Sequence, residues 1–282
     1  MTRIDRRALF ASGAAAALLA ATGLSPDTKP TRGGRLRVAV SRDHDQVTEL
    51  ARGAVFDTLT EVAPDGVLRG ELAVSWQSAN DARHWEFKLR DGVDFHDGSR
   101  FGAPDAVASL LSQEWFAERH FAAVEATGTS ALRIELHEGN PQLPFLLANQ
   151  SLLICPADCV DSALATGIGT GLYAARRIDE NRHFLGERVA SHYKDGQAGW
   201  LDAIDVIAIS DPSVRAEALR DGFVDVAELP APDGVLNRGE FAYHPSSQDI
   251  AIAARRGVGM PRVIGARGAL DDGRLAERWW IA

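Results

Sequence analysis

Sulfur is scarce in this sequence: its 282 residues include two cysteines, Cys155 and Cys159, and two methionines, Met1 and Met260. That excludes a disulfide-dense scaffold and leaves almost no soft ligand for a copper site. A basic excess is also absent, since 39 acidic residues against 30 basic ones give a net charge of −9. Phosphate backbones are bound through clustered Lys and Arg, and no basic stripe occurs, so the sequence reads as having no nucleic-acid partner. No apolar run is long enough for a confident membrane span, so a membrane-embedded chain is excluded as well. The patterns G-x-S-x-G, H-E-x-x-H and C-x-x-C are missing, and no Ser or Cys sits in a recognisable activated setting. The sequence therefore reads as a non-enzyme that needs no cofactor and no metal.

What is present fits a folded soluble protein, with 45% hydrophobic and 24% charged residues. The length allows one large domain or two small ones. At the N-terminus, Arg3, Arg6 and Arg7 precede an uncharged run from Ala8 to Leu24. This is the layout of a cleavable export signal over residues 1–25, and Arg6-Arg7 before Ala8-Leu9-Phe10 resembles a twin-arginine leader. Export places the mature protein in the periplasm, an oxidising compartment. There Cys155 and Cys159, four residues apart in CPADC, are expected to be structural, either as a local disulfide or as two buried thiols.

Further along, Arg35 to Val40 alternates polar and apolar residues as a first strand does. Val47 to Leu59 reads as a helix, Trp85 to Arg90 as a second alternating strand, Pro104 to Phe116 as a helix and Leu132 to Leu136 as a strand. The apolar stretches 143–149 and 152–154 are expected inside. Gly167 to Gly171 marks a crossover and not a phosphate loop, because no Lys-Ser/Thr pair follows. Asp211 and Pro212 supply the N-cap and first position of a helix that runs to Asp221, with Gly222 just past its end and a short strand at Val224 to Ala227. The order of elements is mixed α/β (α+β). The division expected is a main α/β subdomain over 33–70 and 165–282, and an inserted subdomain over 71–164.

The stretch from Gly70 to Leu111 carries a long ordered pattern. It comprises Leu72-Ala73-Val74-Ser75-Trp76, the strand Trp85 to Arg90, Asp91-Gly92-Val93-Asp94-Phe95-His96-Asp97-Gly98, and Phe101 followed by Ala106-Val107. Val55 to Thr60, Pro64-Asp65-Gly66, Gly169-Thr170-Gly171-Leu172-Tyr173, Tyr193 to Gly196, Leu201 to Ile204 and Asp211 to Ala227 continue it in order. This pattern resembles the periplasmic substrate-binding proteins of peptide, nickel and opine ABC transporters, known as solute-binding protein family 5. Taken as residues alone, Trp76, Trp85, Phe87 and Phe95 are core or packing residues, and His96 in its turn is a surface or hydrogen-bonded residue and not a metal ligand.

The resemblance implies a periplasmic-binding-protein type II fold that binds a peptide or other small solute and delivers it to an ABC transporter permease. Members of that family usually have two lobes closing on the ligand, and the pattern here ends near Ala227. The expectation is one lobe with the second missing, and with Trp279 and Trp280 in LAERWWIA returning a last strand to the sheet. Ligand contacts are then expected from the loop after the first strand, Ser41, Arg42 and His44, and from the crossover, Gly171 and Tyr173. A competing expectation is a shortened derivative that no longer transports and instead serves as a partner-binding, chaperone-like or sensory protein, its cleft completed by a homodimer.

Overall fold

The structure, a computed structural model, describes residues 32–62, 67–79, 81–231, 235, 241–244 and 252–255. The expected export signal, the turn at Pro64-Asp65-Gly66 and the LAERWWIA segment lie outside these residues. The chain is mixed α/β and has two main sheets.

The first begins at the alternating segment β1 (Arg35–Val40), which lies at the centre of seven strands. Leu36, Val38 and Val40 point to one face and Ala39 to the other, as a period of two requires. Strand β1 pairs in parallel with β10 (Ala203–Ala208) on one side and β11 (Val226–Glu228) on the other. The antiparallel hairpin β8 (Tyr173–Asp179) and β9 (His183–Arg188) extends the sheet beyond β10. Strands β12 (Phe241–His244) and β13 (Ile252–Arg255) extend it beyond β11. Helix α1 (Gln46–Val55) covers the face built from Leu36, Val38, Val206, Phe184 and Tyr173.

The second sheet is four antiparallel strands, β4 (Ala73–Ser78), β5 (His84–Leu89), β6 (Phe121–Ala126) and β7 (Ala131–Leu136), in the order β4-β5-β7-β6. A two-stranded ribbon, β2 (Thr60–Val62) with β3 (Leu68–Gly70), precedes it. Along β5, Trp85, Phe87 and Leu89 are buried while His84, Glu86 and Lys88 face solvent. The buried row packs with helices α2 (Ala103–Ser112) and α3 (Glu114–His120) and with the short helix α4 (Leu143–Leu146) around one core. Helix 104–116 expected from the sequence is in fact two helices, because Gln113 leaves the helical region at φ −86°, ψ 68°. Of the apolar stretch 143–149, Leu143 and Leu147 are buried, but Phe145 is exposed.

A short helix, α5 (Ala163–Thr166), leads to the crossover into β8. Helix α6 (Pro212–Asp221) lies on the opposite face of the large sheet from α1. Asp211 accepts from the Ser213 amide at its N-terminus, and Gly222 closes it in the left-handed region at φ 82°. Both signals are the ones the sequence displays.

Candidate functional site

Parallel strands end together, and in an open α/β sheet the crevice at their carboxyl ends, where connections diverge, is the usual place for a ligand. Here β10 and β11 flank β1 on opposite sides, and α6 links them across it. Strand β1 continues into α1 on one face of the sheet and its neighbour β10 into α6 on the other, so the two connections diverge at the carboxyl edge of β1. The loop Ser41 to Asp45 leaves β1 at that edge as a short 3-10 turn and enters α1.

Several polar groups converge there. The Ser41 amide donates to the carboxylate of Glu228, the last residue of β11. The Ser41 hydroxyl lies 3.1 Å from Asp43 Oδ2, and the Asp43 amide 3.3 Å from the Ser41 hydroxyl, so this turn is held by its own side chains. Beneath them Arg215 is buried, and its guanidinium donates to the carbonyls of Glu228 at 2.6 Å and Ser210 at 3.0 Å, and to that of Ile209. One buried cation thus ties the ends of β10 and β11 together below the edge.

The expected ligand-contact residues divide between this edge and the interior. Ser41 is buried by the Glu228 contact and Arg42 is exposed at the edge, while the side chain of His44 lies outside the described set. Tyr173 is wholly buried under α1, and its hydroxyl donates to the Leu201 carbonyl at 3.1 Å. Gly171 lies against α1, its amide donating to the Val55 carbonyl at 2.8 Å, and a Cβ there would stand 2.5 Å from the Ala54 oxygen. Tyr173 and Gly171 are therefore parts of the core and the crossover. The two residues that sequence reasoning missed are Glu228 and Arg215. Both sit in the Asp211 to Ala227 region or just past it, and the only sequence signal was a charged residue at the end of an apolar strand and another on the inner face of a helix.

A second polar cluster joins the two sheets. His96 Nε2 donates to the Gly171 carbonyl at 2.8 Å, and its main-chain amide donates to Gly169 O at 2.9 Å. Nδ1 lies 3.4 Å from the Gly169 amide and 3.5 Å from the Gly167 carbonyl, so every polar contact of the ring falls on the crossover. Of the two forms expected, surface or hydrogen-bonded, His96 takes the second and latches its turn onto the crossover. Nearby, Lys194 Nζ contacts Glu71 Oε1 at 2.7 Å and Glu61 Oε2 at 2.9 Å. His192 Nε2 lies 2.9 Å from the Thr170 carbonyl, and Thr170 Oγ1 donates to Asp57 at 3.0 Å.

Cys155 and Cys159 are both free thiols, so of the two structural forms expected the disulfide is not formed. Cys155 faces α2, where the Ser109 hydroxyl binds its carbonyl and amide at 3.1 Å each. Desolvation by burial pushes the Cys155 thiol up, and desolvation followed by Asp158 raises that of Cys159. Raised thiols make poor nucleophiles and poor metal ligands. Among the described residues no group of three or more His, Cys, Asp or Glu side chains could hold a metal ion.

The family model described as bacterial extracellular solute-binding proteins, family 5 Middle, matches residues 67–244. The chain belongs to this family. The nickel-binding periplasmic protein of Escherichia coli K12 is 27% identical over 208 residues, which cover 68% of this chain and 38% of that protein. The HTH-type transcriptional regulator SgrR of Salmonella typhi is 32% identical over 139 residues, 48% of this chain and 25% of the regulator. In fold, the periplasmic binding protein DppA of Helicobacter pylori in complex with the peptide STSA is similar with a TM-score of 0.65 and 20% identity. That similarity covers 76% of this chain and 51% of DppA. The family 5 chain thus spans about half the length of these relatives or less. No helix among its described residues is long and apolar enough to cross a membrane.

Proposed function

We propose that this family 5 chain is the solute-binding component of a peptide, nickel or opine type ABC importer. It works in the periplasm after removal of residues 1–25, takes up a small solute without altering it, and hands it to the permease. The solute rests on the carboxyl edge of β1, against the Ser41 to His44 loop and Glu228.

The observation that carries this reading is the divergence of the connections leaving β1 and β10 to opposite faces of the sheet, with a polar loop at that point. Family membership supplies the transport context, and function is argued from this site because a fold alone is an associational warrant. Calorimetric titration of the exported protein with a dipeptide, the nickel–histidine complex and an opine tests it. Saturable binding of one of them is expected, and the absence of binding across the panel overturns it.

A second reading is sensory, in which solute binding informs a partner and drives no transport. Its support is the 32% identity to a transcriptional regulator over 139 residues. Uptake assays with and without this chain separate the two readings, since its removal abolishes uptake of the bound solute only under the first.

A further inference from the structure

The strands that end the two main sheets are not protected alike. An edge strand presents unpaired N–H and C=O groups, and proteins guard such edges with charge, proline, a bulge or short length. Strand β8 carries Arg176, Arg177 and Asp179, and a register shift between Ala175 and Arg177. Strand β6 carries Glu125 and a shift between Phe121 and Ala123, and β12 is only four residues long. Strand β4 differs: from Ala73 to Ala79 the chain reads AVSWQSA, with no charged residue and no proline. Its register shift lies at its start, between Ala73 and Ser75, and Ser75 to Ser78 then pair regularly with Lys88 to Trp85. Among the described residues no backbone hydrogen bond joins Val74 to Ser78 to any element but β5. Val74 is 41% exposed and Trp76 is partly exposed.

Charge selects what can lie along this edge. The chain carries a net charge of −9, so two copies repel one another over most of their surface. The β4 strand is neutral, and the carboxylate opposite Gln77, that of Glu86, is occupied by Gln77 Nε2 at 3.0 Å and by Arg133 at 3.4 Å. A second copy of the same strand therefore meets no like charge there.

We propose that β4 pairs antiparallel with β4 of a second copy about a twofold axis, joining two four-stranded sheets into one of eight strands. This interface is separate from the solute site. The register with Trp76 on the axis sets Ser75 opposite Gln77 of the partner subunit and brings the two indoles together, an aromatic cross-strand pair that favours the sheet. So short a ladder buries far less than the roughly 1,600 Å² of a standard interface, so the dimer is weak and concentration-dependent.

Sedimentation equilibrium of the exported protein, with hydrogen exchange of the β4 amides, tests the pairing. A monomer–dimer equilibrium with a dissociation constant of about 100 μM is expected, and exchange at Val74 to Ser78 should slow as concentration rises. Ser75→Glu faces Lys88 and Gln77→Lys faces Glu86 within their own sheet, so each keeps the fold, which circular dichroism verifies. In a pair of identical variants the two new like charges lie diagonally across the axis, and the dimer should weaken at least about tenfold. Mixing the two variants sets the new carboxylate opposite the new ammonium and should restore association. A wild type that stays monomeric to about 1 mM, a dimer that either variant leaves unchanged, or a mixture that does not recover overturns the proposal. So do β4 amides equally protected at every dilution, the mark of an edge covered by its own chain. Should a variant fail to fold, the wild type decides: slowing confined to β4 upholds the pairing, and slowing elsewhere overturns it.

Discussion

Lys194 Nζ lies 2.7 Å from Glu71 Oε1, and the Glu71 side chain is fully shielded from solvent. Its other oxygen takes the Thr58 amide at 2.9 Å and lies 2.8 Å from the Thr58 hydroxyl. Lys194 follows the large sheet's β8–β9 hairpin, whereas Glu71 stands between β3 and β4, so this pair fastens one sheet to the other. Arg90 stacks 4.5 Å above the Tyr193 ring beside it and closes the junction. Breaking a buried pair leaves an uncompensated charge. Lys194→Met is expected to destabilise the chain by about 3–5 kcal/mol in urea unfolding. Adding Glu71→Gln to that variant should recover a large part of the loss, and additive losses would contradict the pairing.

That junction was hard to read in the sequence, and the reason is physical. Within Tyr193-Lys194-Asp195-Gly196 a lysine looks like a solvated turn residue, and its partner lies 123 positions away. Features fixed by neighbours in sequence were legible: the alternation of β1 and β5, and the Asp211 and Gly222 caps of α6. The β8–β9 hairpin escaped notice because a register shift between Ala175 and Arg177 breaks its alternation. At the candidate site the Ser41 loop was found from its place after the first strand. Tyr173 was expected among the ligand contacts, and its burial under α1 was not legible because a crossover motif does not say which face of the sheet its next residue takes.

The crossover is intolerant of a side chain. A Cβ on Gly169 would stand 2.1 Å from the Val55 oxygen and 2.7 Å from the Phe56 ring. Since the obstacle is backbone at the end of α1, relief requires moving the helix. Gly169→Ala is expected to cost about 2–3 kcal/mol by thermal or urea unfolding, whereas Gly98→Ala, in open space but at φ 87°, should suffer from backbone strain alone.

The His96 latch predicts a separate loss. Replacing His96 by Ala leaves the Gly171 carbonyl without its 2.8 Å donor, and a cost of about 1–3 kcal/mol should follow. Asparagine, which can still donate, should restore part of it, and an equal loss in both variants would contradict the assignment.

Acid sensitivity has a defined direction at the α6 cap. The Ser213 hydroxyl and amide, each bonded to the Asp211 carboxylate, hold that carboxyl below the usual carboxylate range. A depressed folded value means the contribution is complete above the unfolded pKa of about 3.9 and disappears as pH falls through the folded value. The urea midpoint of the wild type should therefore exceed that of Asp211→Asn at pH 7, and the gap should narrow by pH 3. A gap that is constant with pH would contradict this.

The thiols give a chemical check. With Cys155 buried and Cys159 partly exposed, a thiol reagent should modify Cys159 slowly in the native protein and Cys155 only after unfolding. Two thiols titrating in denaturant without reductant would match the structure, and none would show a disulfide.

Backbone amide mapping shows whether a solute sits on the carboxyl edge of β1. The chain is titrated with a dipeptide, the nickel–histidine complex and an opine while its amide resonances are followed. The binding solute should shift the amides of Ser41 to Gln46 and Glu228 most strongly. Shifts centred elsewhere, such as the outer face of β4 to β7, or no shifts with any of the three, would contradict it.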